Sequence, residues 1–446
     1  MHVFPQLRKL EEKYADEMIV VGVHSAKFAA EKDYENVRKA VLRYEIEHPV
    51  VNDKDFEVWS QYGARAWPTL MFIDPEGKVL GKHEGEFAVA DLDSLLSKMI
   101  AEYDNNQLVN RTPITLNLEK DKEWERPLSF PGKVLADERS DRLFIADSNH
   151  NRIVVTDLRG NALYVVGSGK QGLRDGAFNE AQFHDPQGMA LGGDTLFVAD
   201  TKNHAIRAVD LANQSVRTVA GTGEQARSFH RGGNARFVQL RSPWDVVLEG
   251  DSLYIAMAGF HQIWRYDLNT QEVSAFAGNG RERIVDGQLA NAELAQPSGI
   301  VSDGEKLYFT DSETSAVRSA DLNTNGSVNT IVGLHLFEFG DVDGIGDEVR
   351  LQHPIGIELH DGVLYIADTY NNKIKRIYPA TRGATSFIGV NTPGHEDGAG
   401  VFAQFHEPAG ISVARGKLYI ADTNNHAVRV ADLNTQEVST LEISGL

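Results

Sequence analysis

Hydrophobic and polar positions follow two rhythms along this chain. From about residue 130 onward, one sixteen-residue stretch recurs. LYIADTNNHAVRVADL (Leu418–Leu433) has five earlier counterparts, starting at Leu143, Leu196, Leu253, Leu307 and Leu364, so the spacings are 53, 57, 54, 57 and 54 residues. A fixed long period is the signature of a repeat architecture. Each repeat opens with a short apolar strand, introduced by Pro-x-Gly at Pro186, Pro297, Pro354 and Pro408. An L-[YF]-[IV]-A-D strand follows, then a polar turn, an R-x-x-D-L strand, and a fourth strand such as VRTVAG. Four alternating strands joined by short turns make a β-propeller blade, and blades bury their faces only against one another. Six blades account for residues 130–446, beginning with FPGKVLAD at Phe130. The first and last strands then lie in neighbouring blades. Closure is left to packing, unless Ile114–Leu118 adds a strand to the last blade.

Residues 1–104 alternate helical and strand patterns instead. Phe4, Leu7, Leu10 and Tyr14 recur at helical spacing. MIVVGV (Met18–Val23), HPVVND (48–53) and TLMFID (Thr69–Asp74) are apolar runs of strand length. The order α-β-α-β-α-β-β-α predicts an α/β layer structure. Residues 105–129 are polar and turn-rich and read as a linker, with Trp124 expected to be buried at a domain junction.

Composition narrows the function. A formal net charge of −20 disfavours nucleic acid or an anionic membrane as a partner, since both need clustered Lys and Arg. No apolar run is long enough to span a bilayer. MHVFPQLRKLEEKY at the N-terminus is amphipathic and charged, unlike a secretory leader, so a cytoplasmic setting is expected. The chain has no cysteine, which removes disulfides, thiolate metal sites and thiol chemistry from its own residues. No P-loop, Rossmann glycine run or nucleophile elbow is present, and no cofactor or metal is expected.

The first segment resembles the thioredoxin fold. Trp67-Pro68-Thr69 precedes a buried strand, where that family carries its cis-proline, and Pro5 stands where it kinks a helix. The resemblance implies a cis bond at Pro68. It also places the family's second active-site cysteine immediately before Met1, and its central strand is missing. Two readings stay open: a trimmed or misassigned N-terminus, or a degenerate, structural thioredoxin fold. Without that strand, MIVVGV is expected to pair directly with TLMFI or leave backbone groups unpaired. With the propeller behind it, the whole chain resembles the NHL repeat-containing protein 2 family, through strings such as VGVHSAKF (21–28), FPGKV (130–134), SPWDVV (242–247), AMAGFHQIW (256–264) and FGDVDG (339–344).

The repeated Asp (Asp147, Asp200, Asp311, Asp368, Asp422) reads as a turn cap rather than a ligand ring. The His residues of the same turns are one per blade and do not converge, so no metal is expected there. The Asp-Gly pairs at 175, 286, 343 and 397 read as loop turns. Loops leading into the inner strands ring one mouth of the propeller channel. There stand His184, Asp185, Arg241, Gln296, His353, His406 and Glu407, chemically varied on a repeated frame. Blade three breaks the pattern, with Trp244-Asp245 in place of x-Gly, Met257 in place of Asp, and the bulky Phe260, His261 and Trp264 nearby. Such rule-breaking marks either a partner site or an interface with the thioredoxin-like domain. The expected function is a non-catalytic scaffold that binds a protein or peptide at the propeller mouth. One rival is a thiol–disulfide oxidoreductase whose Cys-x-x-Cys lies upstream of Met1, with the propeller choosing the substrate. A further rival is a hydrolase or lyase, because some similar propellers bind catalytic metals at the channel.

Overall fold

The structure is a computed structural model that describes residues 3–112, 114–122 and 126–446. It divides into two compact units, Met1–Glu125 and Arg126–Leu446. Trp124 lies outside the described residues.

The first unit runs α1 (Val3–Lys13), β1 (Gly22–His24), α2 (Tyr34–Arg43), β2 (Val50–Asn52), α3 (Glu57–Gln61), β3 (Thr69–Ile73), β4 (Val79–Glu84) and α4 (Val89–Asn105). Leu10 and Tyr14 at the end of α1 pack on Phe87, Leu92 and Leu96 of the α4 region, with Leu70 and Phe72 of β3 beneath. Local polar chemistry fixes the element ends. Asp33 caps α2 by accepting from the Asn36 N–H, and Asp53 accepts from Val58 and Trp59 at the start of α3. Asp74 accepts from Glu76 and Lys78 to close the turn between β3 and β4, where Gly77 has φ +84°.

The strand pairing differs from expectation. MIVVGV contributes only Gly22–His24 as strand, and it pairs in parallel with β2, not with β3. β3 pairs with β4 in a separate antiparallel ribbon. An apolar run gives the strand but not its neighbour. Here His48-Pro49 brings β2 alongside, so the Pro49 carbonyl accepts from Gly22.

The second unit is a six-bladed propeller. Its inner strands are Val134–Asp137, Pro186–Gly192, Pro243–Glu249, Pro297–Ser302, Gly356–His360 and Pro408–Ala414, each followed by three antiparallel strands. Six apolar clusters lie between successive blades. The one that closes the ring joins Val134, Leu143, Ile145 and Val154 of blade one to Tyr419, Ala421, Val428 and Val430 of blade six. Each blade therefore needs two neighbours to bury its faces.

Blades two to six carry a short fifth strand, supplied by the loop before the inner strand. In blades two, four, five and six it contains the glycine of the Asp-Gly pairs, which are thus edge strands and not simple turns. Gly176 pairs with Val216 and Gly287 with Val328. The added strand covers the outer edge of the blade. In blade one the C-terminal residues take that place: Ala162 donates to the Ser444 carbonyl and Ser444 to that of Gly160. Ile114–Leu118 forms no strand, and Ile114 is exposed.

Candidate functional site

The mouth is built by one repeated set of hydrogen bonds. The second strand of five blades ends in a buried Asp, whose carboxylate accepts from a backbone N–H of the loop that enters the same blade. The donors are Ser129, His184, Ala295, Gln352 and His406, at 2.6–2.8 Å. A short turn later stands a left-handed residue: Asn151, His204, His261, Ser315, Asn372 or His426. Its side chain accepts from the N–H just before the proline position of the next blade. The six links are Asn151–Asp185, His204–Ser242, His261–Gln296, Ser315–His353, Asn372–Glu407 and His426–Phe130, at 2.9–3.3 Å. The His rings accept through Nδ1, so Nε2 carries the proton. The hydroxyl after the Asp adds a second link: Ser148, Thr201, Ser312 and Thr423 donate to the carbonyls of Pro186, Pro243, Pro354 and Pro131. The repeated Asp and His are the joinery of the ring. Among the described residues, no three His, Asp or Glu side chains are grouped to hold a metal.

A buried ion pair backs this frame in four blades. In blade two Arg207 donates to Asp200 at 2.8 Å and to Asp175 at 2.9 Å. Blades four and six repeat it with Arg318 on Asp311 and Asp286, and Arg429 on Asp422 and Asp397. Blade five uses Lys375 on Asp341 and Asp343. All four cations are fully buried. Burial pushes the Asp200 carboxyl up to about 6, against the pull of Arg207.

Blade three replaces every member of this set. Trp264 stands at the register of Arg207, Met257 at that of Asp200, Gly232 at that of Asp175 and Ala275 at that of Thr218. The Trp264 indole donates to Gln262 at 3.0 Å. Met257 and Trp264 are fully buried, so the expectation that they face a partner is corrected: they form an apolar core where blades two, four, five and six hold charges. His261 keeps the ordinary linking role.

Asp245 is corrected in the same way. The residue two after each mouth proline is Lys133, Gly188, Asp245, Gly299, Gly356 or Gly410. Lys133 of blade one donates to Asp245 of blade three at 3.0 Å and to the Ile355 carbonyl of blade five at 3.1 Å. These alternate blades meet in the channel, and both side chains are buried. The glycines leave the room: a Cβ on Gly188 would lie 1.9 Å from an Asp245 oxygen, and one on Gly410 2.3 Å from the Lys133 Cα. The two blades lacking glycine thus supply the two halves of one ion pair, and the channel is bridged. Further along, half-buried Glu358 lies within the field of Asp245. Burial pushes its carboxyl up to about 8, although Ser412 hydrogen-bonds to it.

The remaining expected residues occupy the mouth. Asp185, Gln296, His353 and Glu407 all have φ between +50° and +61° and succeed one another on equivalent backbone, with Phe130 and Ser242 completing the six. Asp185 accepts from Gln187 and pairs with Lys202 at 3.3 Å. The His353 ring stacks on Tyr370. His184 and His406 give their backbone N–H groups to the frame. Arg241 lies over Gly259, where a Cβ would meet its Cγ at 2.6 Å. Trp244 is half-buried just inside the mouth. Its indole Nε1 is enclosed yet makes no hydrogen bond among the described residues. In the first unit the Trp67–Pro68 peptide is cis. Trp67 is half-exposed, donates to the Ser25 carbonyl and packs on Trp59.

A thioredoxin-like unit combined with a six-bladed propeller, its blades joined by Asn and His side chains, defines the class. A thioredoxin-like family model matches residues 1–79, and an NHL-repeat model matches residues 405–431. The human NHL repeat-containing protein 2 is 39% identical over 479 residues, covering 99% of this chain and 66% of that protein. The chain belongs to the NHL repeat-containing protein 2 family. Protein SUPPRESSOR OF QUENCHING 1 of Arabidopsis thaliana is 44% identical over 468 residues, covering all of this chain and 44% of that protein. The thiol-disulfide oxidoreductase ResA of Bacillus thuringiensis is 30% identical over 95 residues, 21% of this chain and 53% of its own. The chain thus spans less than two thirds of these relatives' lengths.

Proposed function

We propose that the chain is a binding scaffold whose propeller mouth takes a protein or peptide partner. The observation that carries this reading is Trp244. A buried indole N–H without an acceptor is costly, and a small turn of the half-buried ring would offer it to a ligand oxygen at the mouth. The surrounding positions support it. One backbone geometry displays Phe130, Asp185, Ser242, Gln296, His353 and Glu407, a set of chemistries that a purely structural turn does not require. The Lys133–Asp245 bridge stops the channel, so the partner rests on the mouth and does not thread it. Residues 1–446 contain no cysteine, and the thiolate is the nucleophile in disulfide exchange, so this reading assigns these residues no thiol step.

The test compares partners captured by the full chain, by Trp244→Phe and by an Asp185→Ser, His353→Ser double variant, quantified by mass spectrometry. Phe keeps the ring and removes only the donor. A partner lost in both variants supports the mouth. Identical recovery in all three eliminates it.

A further inference from the structure

The loop entering blade three is unlike its counterparts in charge. Residues 222–240 carry Arg227, Arg231 and Arg236 against a single acid, Glu224. The equivalent loop of blade five carries Glu338, Asp341, Asp343, Asp347 and Glu348 against Arg350. The reversal sits in a chain of net charge −20. It goes with the loss of the buried ion set: where blade two has Asp175, this loop has Gly232, and a Cβ there would lie 2.0 Å from the Val273 carbonyl oxygen.

The same loop exposes aromatic surface. Phe229 is 57% exposed and Phe237 83%. Phe229 is not adrift, because its ring lies 5.5 Å from that of buried Phe260, which stacks in turn on Trp264 at 5.3 Å. His230 steadies the turn by bonding the Gln239 carbonyl at 2.7 Å and lying edge-on to Trp264. The column that replaced the ion pair in the core therefore ends in an exposed ring held from below. Arg227 and Arg231 are exposed and form no ion pair among the described residues. The patch continues into the next blade: Phe229 packs on Gly280, a Cβ of which would meet the ring at 2.5 Å. Beside it stand exposed Arg281 and Arg283, held only loosely by Glu293 at 3.6 and 3.5 Å.

We infer that this basic and aromatic rim of blade three binds an extended, carboxylate-rich segment of a partner protein. Arginine forks take carboxylates, and Phe229 takes an apolar side chain between them. Charge complementarity selects the occupant, because a chain of net charge −20 disfavours an acidic segment in general and this basic loop favours it. A nucleic acid would have to approach the same small patch against the field of the whole molecule. The rim lies on the loop that leads to the mouth but uses residues other than Trp244, so separate variants test the two readings.

The experiment uses the full chain and a fluorescein-labelled peptide of ten glutamates interrupted by two leucines, followed by anisotropy. Saturable binding is expected to weaken roughly tenfold or more in an Arg227→Glu, Arg231→Glu variant, and to fall as salt is raised from about 50 to 300 mM. Trp244→Phe is expected to leave it unchanged. Both arginines are exposed, so an unaltered melting temperature checks that the variant is folded. Phe229→Ser reads the apolar contribution separately. Absence of saturable binding, equal binding by the charge-reversed variant, or equal binding of a DNA oligonucleotide of the same charge overturns the inference.

Discussion

Lys133 and Asp245, 112 residues apart in sequence, meet at 3.0 Å in the propeller channel, and each stands where four other blades have glycine. Each departure from the repeat explains the other. A Lys there without the Asp would bury an unpaired charge, and the glycines between them keep the lane clear.

Replacing one partner should therefore be far worse than replacing both. Lys133→Met leaves Asp245 buried and alone, and is expected to lower stability by about 3–5 kcal/mol. Lys133→Met with Asp245→Asn should recover part of that loss. Denaturant unfolding of the four proteins of the cycle measures the coupling. Equal losses in single and double variants would contradict the pairing.

The His426 link to Phe130 predicts a chemical equivalence. His426→Ala removes the acceptor for a half-buried N–H and should cost about 1–3 kcal/mol. His426→Asn should cost much less, because Asn151 and Asn372 fill the same left-handed position and accept the same bond in other blades. Thermal unfolding of the two variants separates them.

Glu358 gives a pH dependence. Its carboxyl rises from 4.5 when unfolded to about 8 when folded, because burial disfavours the ionised form. The folded state therefore holds a proton that the unfolded chain has released. Stability contributed by this group is present below pH 4.5 and is lost as pH rises toward 8. Glu358→Gln should match wild type near pH 4 and exceed it by about 1–3 kcal/mol near pH 9. A difference that is flat across that window would mean that Glu358 is already ionised at neutral pH.

Copying the commonest residue of the repeat into blade three should fail. Trp264→Arg recreates the residue of blades two, four and six, but Met257, Gly232 and Ala275 offer it no carboxylate or hydroxyl. A buried unpaired guanidinium should lower stability by at least about 3–5 kcal/mol, despite the closer match to the repeat. Circular dichroism melting reads this directly.

These tests also mark what the sequence makes legible. Six blades, their four-strand order and the α/β order of the first unit follow from local periodicity. Alternation at period two and a 53–57-residue repeat are written into neighbouring residues. That the repeated Asp is structural is legible, but the expected cap on its own turn is corrected: the Asp200 carboxylate caps no backbone N–H of that turn and accepts instead from the His184 N–H, sixteen residues earlier. Partnership is a different matter. MIVVGV shows a strand but not which strand lies beside it. The joining role of His204 hides because Asn, His and Ser substitute for one another as acceptors, so identity varies while chemistry does not. Met257 and Trp264 attracted attention as exceptions, yet an exception in a core looks the same in sequence as one on a surface. The signal that could have separated them was available: Lys133 in FPGKV breaks the glycine rule at the same place as Asp245 in SPWDVV.

The ring's last joints bind residues from opposite ends of the propeller: His426 reaches Phe130 across 296 residues, and Thr423 reaches Pro131 across 292. Protein synthesis runs at about 5–20 residues per second, so blade one waits roughly 15–60 s for the partner that completes it. Throughout that interval Val134, Leu143, Ile145 and Val154 lack the blade-six surface that covers them in the finished ring. The nascent chain therefore carries a bare apolar face until the sixth blade has been made. Until then that face is open to any apolar surface it meets, and the arrival of the sixth blade is what closes it.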